Sequence, residues 1–438
     1  NGGPDANFTL VDGSVTVGNQ FVVGAHGADS LATMEAGTLQ VNGALFLGGY
    51  LDGTGTGTFT QSGGTNTVNG TMQFGGNGPN SCIYNLGGGT LIAQKIDNAS
   101  LGTSTFNFNG GPLKPSAGTT TFMQGLTAAN VNTDSTIDTA GFDITVAQAL
   151  LVGSGGGLTV NGGGTLTLSS GLSNYDGDVV VTNGTLNVTG TTGGVNPTTG
   201  ALGNPQVART IRIDNGGTLL FNNNDLFGNN LSTPSATVSI NEGGLVENAA
   251  RYNLLHNLAL NGGELRANGG ANASYPAYFL TGTVTVGGGT ASLITANTSV
   301  NGNNQVQLGV NAGTATTTFN VAEVTGDASA DLTVSAVLQD GPSGGTAHLT
   351  KSGAGTMRMT AVNTFSGNVT VSGGTLSITE DNTIANAADV LISAGAKLDL
   401  DGANDTVNEL YLGGAPGRVG TWGSTSSDAT NKDDTYFS

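Results

Sequence analysis

The residues best suited to chemistry in this chain are few, and their spacing keeps them apart. Three histidines, His26, His256 and His348, sit in unrelated contexts. Arg209 and Arg212 in ARTIRIDNGG put two guanidiniums on one strand-like segment, as a site for an anionic sugar would, yet no paired carboxylates accompany them. Cleaving a glycosidic or uronate linkage requires clustered acids with a cationic or imidazole partner to move a proton. The arginines therefore read as solvated surface charge, and the chain as no enzyme. Serine chemistry lacks a G-x-S-x-G elbow between a strand and a helix. The run GSGGGLTVNGGG has neither the following helix nor the lysine of a phosphate cradle. Cys82, the only cysteine, allows no internal disulfide and no multi-cysteine metal site. Within SCIYNL it reads as a buried, inert thiol.

One stretch suits a cation, LDLDGANDTVNE at 398–409. Asp399, Asp401 and Asp405, with Asn404, offer hard oxygens around Gly402, the ligand type that Ca²⁺ takes. No glutamate stands at the bidentate position of a calcium loop, and the calcium-binding nonapeptide repeat is absent. A turn with solvated carboxylates is the expectation, with the three aspartates a weak Ca²⁺ candidate and no other metal or cofactor called for.

Composition narrows the partners. Eleven basic residues face thirty acidic ones, a net charge of −19, so the chain repels the phosphates that a nucleic-acid binder must neutralise. No apolar stretch approaches the ~18 residues that span a bilayer as a helix. Charged residues make up only 9 %, and Ser, Thr and Asn carry the polarity, which leans towards export. The chain begins at Asn1 without a charged and apolar leader, as a mature form with its signal peptide removed would.

The elements that would carry any site come from a repeated phrase. GSVTV at 13, GTLQV at 37, GTLIA at 89, GTLTL at 164, GTLNV at 184, GTMRM at 355 and GTLSI at 374 each follow a glycine with alternating polar and apolar residues. Gly13, Gly37, Gly64 and Gly89 lie 24, 27 and 25 apart, and Gly355, Gly374 and Gly395 lie 19 and 21 apart. Such a period is too short for a four-stranded propeller blade and fits one turn of a β-solenoid. Each turn has room for three short strands, as in DGSVTV, NQFVVG and DSLATM. Alternation sends Leu39/Val41, Leu166/Leu168, Leu186/Val188, Val284/Val286, Met357/Met359 and Leu376/Ile378 inward. Gln40, Thr167, Asn187, Thr285, Arg358 and Ser377 point outward, and Gly374 makes a corner whose backbone angles a side chain would resist.

The expected fold is all-β, a parallel β-helix of about nineteen turns of 19–27 residues, right-handed, with three strands per turn. Residues 1–438 read as a single continuous solenoid: regular 24–27-residue repeats over 1–110, looser turns over 111–155, and more variable repeats over 156–438. Loop excursions near 189–210 and 222–236 carry Pro197, Pro205 and Pro234. The run AARYNLLHNLAL at 249–260 has some helical character, but its glycine flanks favour a strand.

Residues 349–378, LTKSGAGTMRMTAVNTFSGNVTVSGGTLSI, closely resemble the autotransporter-associated β-strand repeat. Leu349, Thr350, Lys351, Gly353, Gly355, Thr356, Asn363, Phe365, Gly367, Val371, Gly374, Thr375 and Leu376 match its pattern. Residues 156–188 match less fully, with Val160 at the lysine and Ser173 at the asparagine. The closing VNELYLGGAPGRVGTWGSTSSDATNKDDTYFS resembles the closing segment of such proteins, which continue with one more glycine-rich strand. The resemblance implies a secreted or cell-surface bacterial β-solenoid and names no substrate. A C-terminal membrane-barrel pattern is absent from these residues.

Repetition argues for building length rather than for chemistry. The expectation is an extracellular structural solenoid, a fibre or filament subunit that assembles with itself head to tail through its open end strands, since neither terminus shows a charged amphipathic cap. The alternative is a cell-surface adhesin stalk or a carbohydrate-binding β-helix module, with extracellular matrix or glycans as partners. Against sugar recognition stands the shortage of aromatic platforms: Trp422 is the only tryptophan. Ice binding would need an outward threonine array, suggested by GTGTGTFT at 53–60. Gln40, Ile92, Asn187, Leu220, Arg266 and Arg358 interrupt the outward column.

Overall fold

The computed structural model describes residues 5–50, 55–76, 80–98, 102–191, 193–297, 299 and 302–438. Among them there is no helix, and the chain is a succession of short strands joined by turns. It divides into two compact units, Asn1–Thr192 with Thr198–Arg209, and Gly193–Pro197 with Thr210–Ser438. Each unit is a parallel β-solenoid.

In the first unit, each turn of chain lays its strands beside those of the turn before. One column is a seven-stranded parallel sheet running from Asn7–Leu10 through Ser30–Met34, Gly57–Gln61, Ser81–Leu86, Thr103–Phe108 and Ala128–Val131 to Leu151–Val152. A second column starts at Ser14–Val17 and Thr38–Val41, and a third at Phe21–Ala25 and Leu45–Tyr50. Ser14 lies opposite Thr38, Thr38 opposite Thr65 and Thr65 opposite Thr90, which reproduces the 24, 27 and 25 spacing of the glycines. In Thr65–Phe74 and Thr90–Asn98 the second and third strands fuse across a corner, with a register shift between Ala93 and Lys95.

The alternation holds. Leu39, Val41, Leu166, Leu168, Leu186 and Val188 are buried, each contributing about 1.5–3 kcal/mol by leaving water. Aromatic rings from successive turns stack inside: Phe59 on Tyr84 at 5.0 Å and Tyr84 on Phe106 at 5.5 Å between centroids. The buried Tyr84 hydroxyl donates to Gln61 Oε1 (2.6 Å) and accepts from Asn66 Nδ2 (3.0 Å), so its polar end is satisfied within the core. Outside, Asn130 donates to Asn107 (2.9 Å) and Asn107 to Asn85 (2.8 Å), an amide ladder that ties three turns together. Thr58 and Thr60 of GTGTGTFT face outward on Gly57–Gln61, while residues 53 and 54 lie outside the described residues.

In the second unit most turns carry two regular strands, such as Thr210–Ile213 with Gly217–Phe221 and Val369–Val371 with Thr375–Ile378. The third side is strand only in places, as at Val306–Leu308 and Leu338–Gln339. Three strands per turn therefore holds for the turns of the first unit up to Leu151–Val152, beyond which Leu158–Asn161 with Thr165–Leu168 and Val179–Val181 with Gly184–Val188 give two. Turn length varies more than the glycine spacing implied: Thr283 pairs with Thr318 and Thr318 with Thr350, 35 and 32 residues on, whereas Val369 pairs with Val390, 21 on. Among the described residues the strand column that begins at Ser14–Val17 has eight members in the first unit and its counterpart in the second has nine, and insertions such as 322–331 lengthen single turns.

Other expectations sharpen. The 249–260 run enters a strand, Asn253–Asn261. Residues 189–209 and 222–236 hold no regular strand, yet they do not simply leave the core: Ala201, Leu202, Leu226 and Phe227 are buried, with Phe227 edge-on to Phe221 at 5.8 Å. Gly374 has φ +60°, and a Cβ there would stand 2.3 Å from the Gly355 carbonyl oxygen, so the corner admits only glycine. Ser377 corrects the in-out pattern. Although it alternates with Leu376 and Ile378, it is only 3 % exposed, because its hydroxyl turns to donate to Asp399 Oδ2 of the next turn (3.1 Å).

Candidate functional site

A strand edge that no neighbouring turn covers presents unpaired N–H and C=O groups, which suit contact with a partner. In the second unit the last regular strand, Leu410–Leu412, runs into Gly413 and Gly414, at φ +59° and +87°. Two successive left-handed residues make the tight reversal that suits a hairpin. Ala415–Pro416 then pairs antiparallel on that strand, Leu412 opposite Ala415 and Tyr411 opposite Pro416. Proline has no N–H to offer beyond this point. The tail returns a second time: Leu398 donates its N–H to the Tyr436 carbonyl (2.8 Å) and accepts from Ser438 N–H (3.3 Å). The expectation of open strands without a cap is thus corrected at this end. The edge is folded over by the chain's own hairpin and tail, which the two adjacent glycines make cheap to form.

The fold-over leaves a cleft of about 580 Å³. Ile384, Val390, Leu398 and Leu400 line its apolar side, and residues 416–422 with Phe437 stand across from them. Trp422 lies 6.3 Å from Phe437, nearly parallel, and its indole N–H donates to the Arg418 carbonyl (2.8 Å). Val419 is fully exposed at the rim. Asp405 also borders the cleft. Burial pushes its carboxyl up to about 6, against the N–H groups of Ile384 (3.2 Å) and Thr383 (3.0 Å), which favour the charged form.

The three aspartates proposed for Ca²⁺ do not converge. Asp399 accepts from Ser377 and from the Asp401 N–H (3.2 Å), Asp401 pairs with Arg358 at 2.6 Å, and Asp405 caps the 383–384 turn. Each carboxylate is already engaged in a different direction, and among the described residues no group of three His, Cys, Asp or Glu is placed to hold a metal ion. The arginines of ARTIRIDNGG also part company. Arg209 is buried, donates to the carbonyls of Asn204 (3.1 Å), Gly177 (2.8 Å) and Leu202, and lies 5.3 Å over the Tyr175 ring. Arg212 faces out and pairs with Asp214 at 3.1 Å. His348 accepts the Asn368 N–H at Nδ1 (2.7 Å), and His256 Nδ1 lies 3.1 Å from the Thr281 hydroxyl. Cys82 is buried, its thiol pushed up to about 11 by burial.

In the first unit, Asn7–Leu10, Ser14–Val17 and Phe21–Ala25 pair in parallel with Ser30–Met34, Thr38–Val41 and Leu45–Tyr50. Sequence reasoning also missed a buried cation. The Lys351 side chain is fully enclosed, and its ammonium donates to the carbonyls of Ser352 (3.0 Å), Gly353 (3.0 Å) and Gly373 (2.9 Å). Its place at the end of an alternating strand, directly before two glycine corners, was the available signal.

Two stretches, residues 158–188 and 349–378, match the model of the passenger-associated-transport-repeat. The chain therefore carries two copies of this autotransporter-associated β-repeat, and a β-solenoid bearing it is passenger-like and points to a secreted or surface protein. No curated protein and no solved structure matches the chain. Lys351 falls in the second copy, and Val160, buried on the strand Leu158–Asn161, stands in the corresponding place of the first.

Proposed function

We propose that this chain is a non-catalytic structural β-solenoid, displayed outside a bacterial cell, that associates head to tail with further copies of itself. The observation that carries the reading is the stack itself: in columns such as Ser14–Val17 on Thr38–Val41 and Val369–Val371 on Val390–Ile392, each turn pairs with its equivalent one turn on, so the body grows by repetition. Strand edges of such a stack are templates for association, and a contact between unlike faces that does not close produces a filament. The hairpin over Leu410–Leu412 covers one such edge, and the second unit meets the next copy with its apolar cleft and the exposed Val419. The passenger-associated repeats support the extracellular placement.

Sedimentation velocity over a range of concentrations, with negative-stain electron microscopy of the same samples, tests the reading. Concentration-dependent end-to-end oligomers or fibres are expected, and Val419→Asp shortens them. A monodisperse monomer at high concentration removes the filament and leaves a solitary stalk.

A further inference from the structure

Three successive turns of the second unit build a small pocket away from the terminal cleft. Asp225 and the two amides Asn229 and Asn230 come from the 222–236 excursion, Tyr252 from the turn before Asn253–Asn261, and Tyr275 from the turn before Tyr278–Val286. The Asp225 N–H donates to the Tyr252 carbonyl (3.2 Å), and the Tyr252 N–H to the Asn224 side-chain Oδ1 (3.2 Å), so one backbone bond and one side-chain bond tie the turns together. Asp225 has φ +56°, in a turn closed by the Gly228 N–H to its carbonyl (2.9 Å). Its carboxylate accepts from the Tyr252 hydroxyl (3.1 Å).

The cavity is about 200 Å³. Buried Leu254 and Phe279 form its floor, and Tyr252 and Tyr275 stack at 4.6 Å with a 31° tilt, Phe279 standing edge-on to Tyr252 at 6.2 Å. Tyr275 remains 37 % exposed. The chemistry of the lining selects among ligand classes. No cationic side chain lines the pocket, so an anion has no counter-charge there. An organic ammonium would use the carboxylate and the rings but leave the two carboxamides without a role. A neutral polyol ring uses all of them: its hydroxyls donate to the carboxylate, exchange hydrogen bonds with the amides, and its C–H face lies on a tyrosine. Burial also pushes the Asp225 carboxyl upward, which favours a neutral hydrogen-bonding ligand. The volume falls below the ~300–1,000 Å³ usual for drug-sized ligands and suits a single ring.

We propose that Asp225, Asn229, Asn230, Tyr252 and Tyr275 form a binding site for one neutral sugar residue, such as the terminal unit of a surface glycan. The site is independent of head-to-tail assembly. It revises the expectation that the chain lacks aromatic platforms, because the two tyrosines lie 23 residues apart in sequence and only the turn spacing stacks them.

The test is solution NMR of the full chain with tyrosine rings isotope-labelled, titrated with methyl glycosides of glucose, galactose, mannose, fucose and N-acetylglucosamine, and with choline chloride. At least one glycoside is expected to shift the Tyr252 and Tyr275 signals saturably, with a millimolar Kd. Tyr275→Ala and Asp225→Asn each weaken that binding about tenfold, while an unchanged melting profile shows the fold intact. No saturable shift with any glycoside, binding that survives Tyr275→Ala, or a shift with choline alone overturns the proposal.

Discussion

Lys351 offers the sharpest test of how this solenoid is held together, because its cost depends on pH in a calculable way. Enclosure by the core pulls its ammonium down to about 8, despite the opposing pull of Asp331 and three carbonyl acceptors. An unfolded lysine titrates near ~10.4. The folded state therefore binds fewer protons than the unfolded state between about pH 8 and 10.4, so this residue makes stability rise with pH across that window. Below about pH 8 the full penalty is present, on the order of 3 kcal/mol. Integrating the two titrations from about pH 7.5 to 9.5 gives a recovery of about 2 kcal/mol. Cys82, raised to about 11, works in the opposite direction as pH passes its ordinary value, so the comparison must be between two proteins that share it. The experiment is urea unfolding, followed by circular dichroism, of the unaltered chain and Lys351→Met at both pH values. The stability difference between them is expected to move by about 2 kcal/mol in favour of the lysine protein on going from pH 7.5 to 9.5. A difference that stays constant with pH refutes the reasoning, because it means that the ammonium is not desolvated in the folded chain.

The remaining predictions concern neighbouring turns. Leu376→Asp places a charge in the core and is expected to cost about 3–5 kcal/mol, read as a fall in melting temperature. Ser377→Asp is expected to cost about 2 kcal/mol, read as a fall in melting temperature, because the new carboxylate faces Asp399. Gly374→Ala loses about 2 kcal/mol or more from the positive φ and the contact with the Gly355 carbonyl, whereas Gly395→Ala, with open space around it, loses only the backbone term. The Asp405 carboxyl is expected to titrate near 6 by carbon-detected NMR. Its folded value is raised, so the stability it contributes is fully present below the unfolded value of about 4 and is lost as pH rises through 6.

Much of the fold was legible from the order of residues. The one-turn spacing of Gly13, Gly37, Gly64 and Gly89 equals the separation of paired strands, because each corner recurs once per turn. Inward Leu39, Leu166 and Met357 followed from a period of two. The candidate sites were less legible. Asp399, Asp401 and Asp405 are close in sequence but point to different partners, since a corner turns successive side chains apart. Ser377 obeys the alternation in its backbone and escapes it in its hydroxyl, which finds an acceptor one turn away.

By itself, the sequence determined a repetitive, parallel all-β body with a glycine-cornered turn, because strand alternation and the left-handed backbone of a corner are set by residues only a few positions apart. Only the tertiary structure decided what neighbouring turns bring together: the hairpin and tail over Leu410–Leu412, the enclosure of Lys351, and the stack of Tyr252 on Tyr275. Apart from the hairpin itself, those contacts join residues tens of positions apart, and the exact length of each intervening turn sets which side chains meet. Insertions vary that length from 19 residues to 40 among the described residues, so no local rule reaches them.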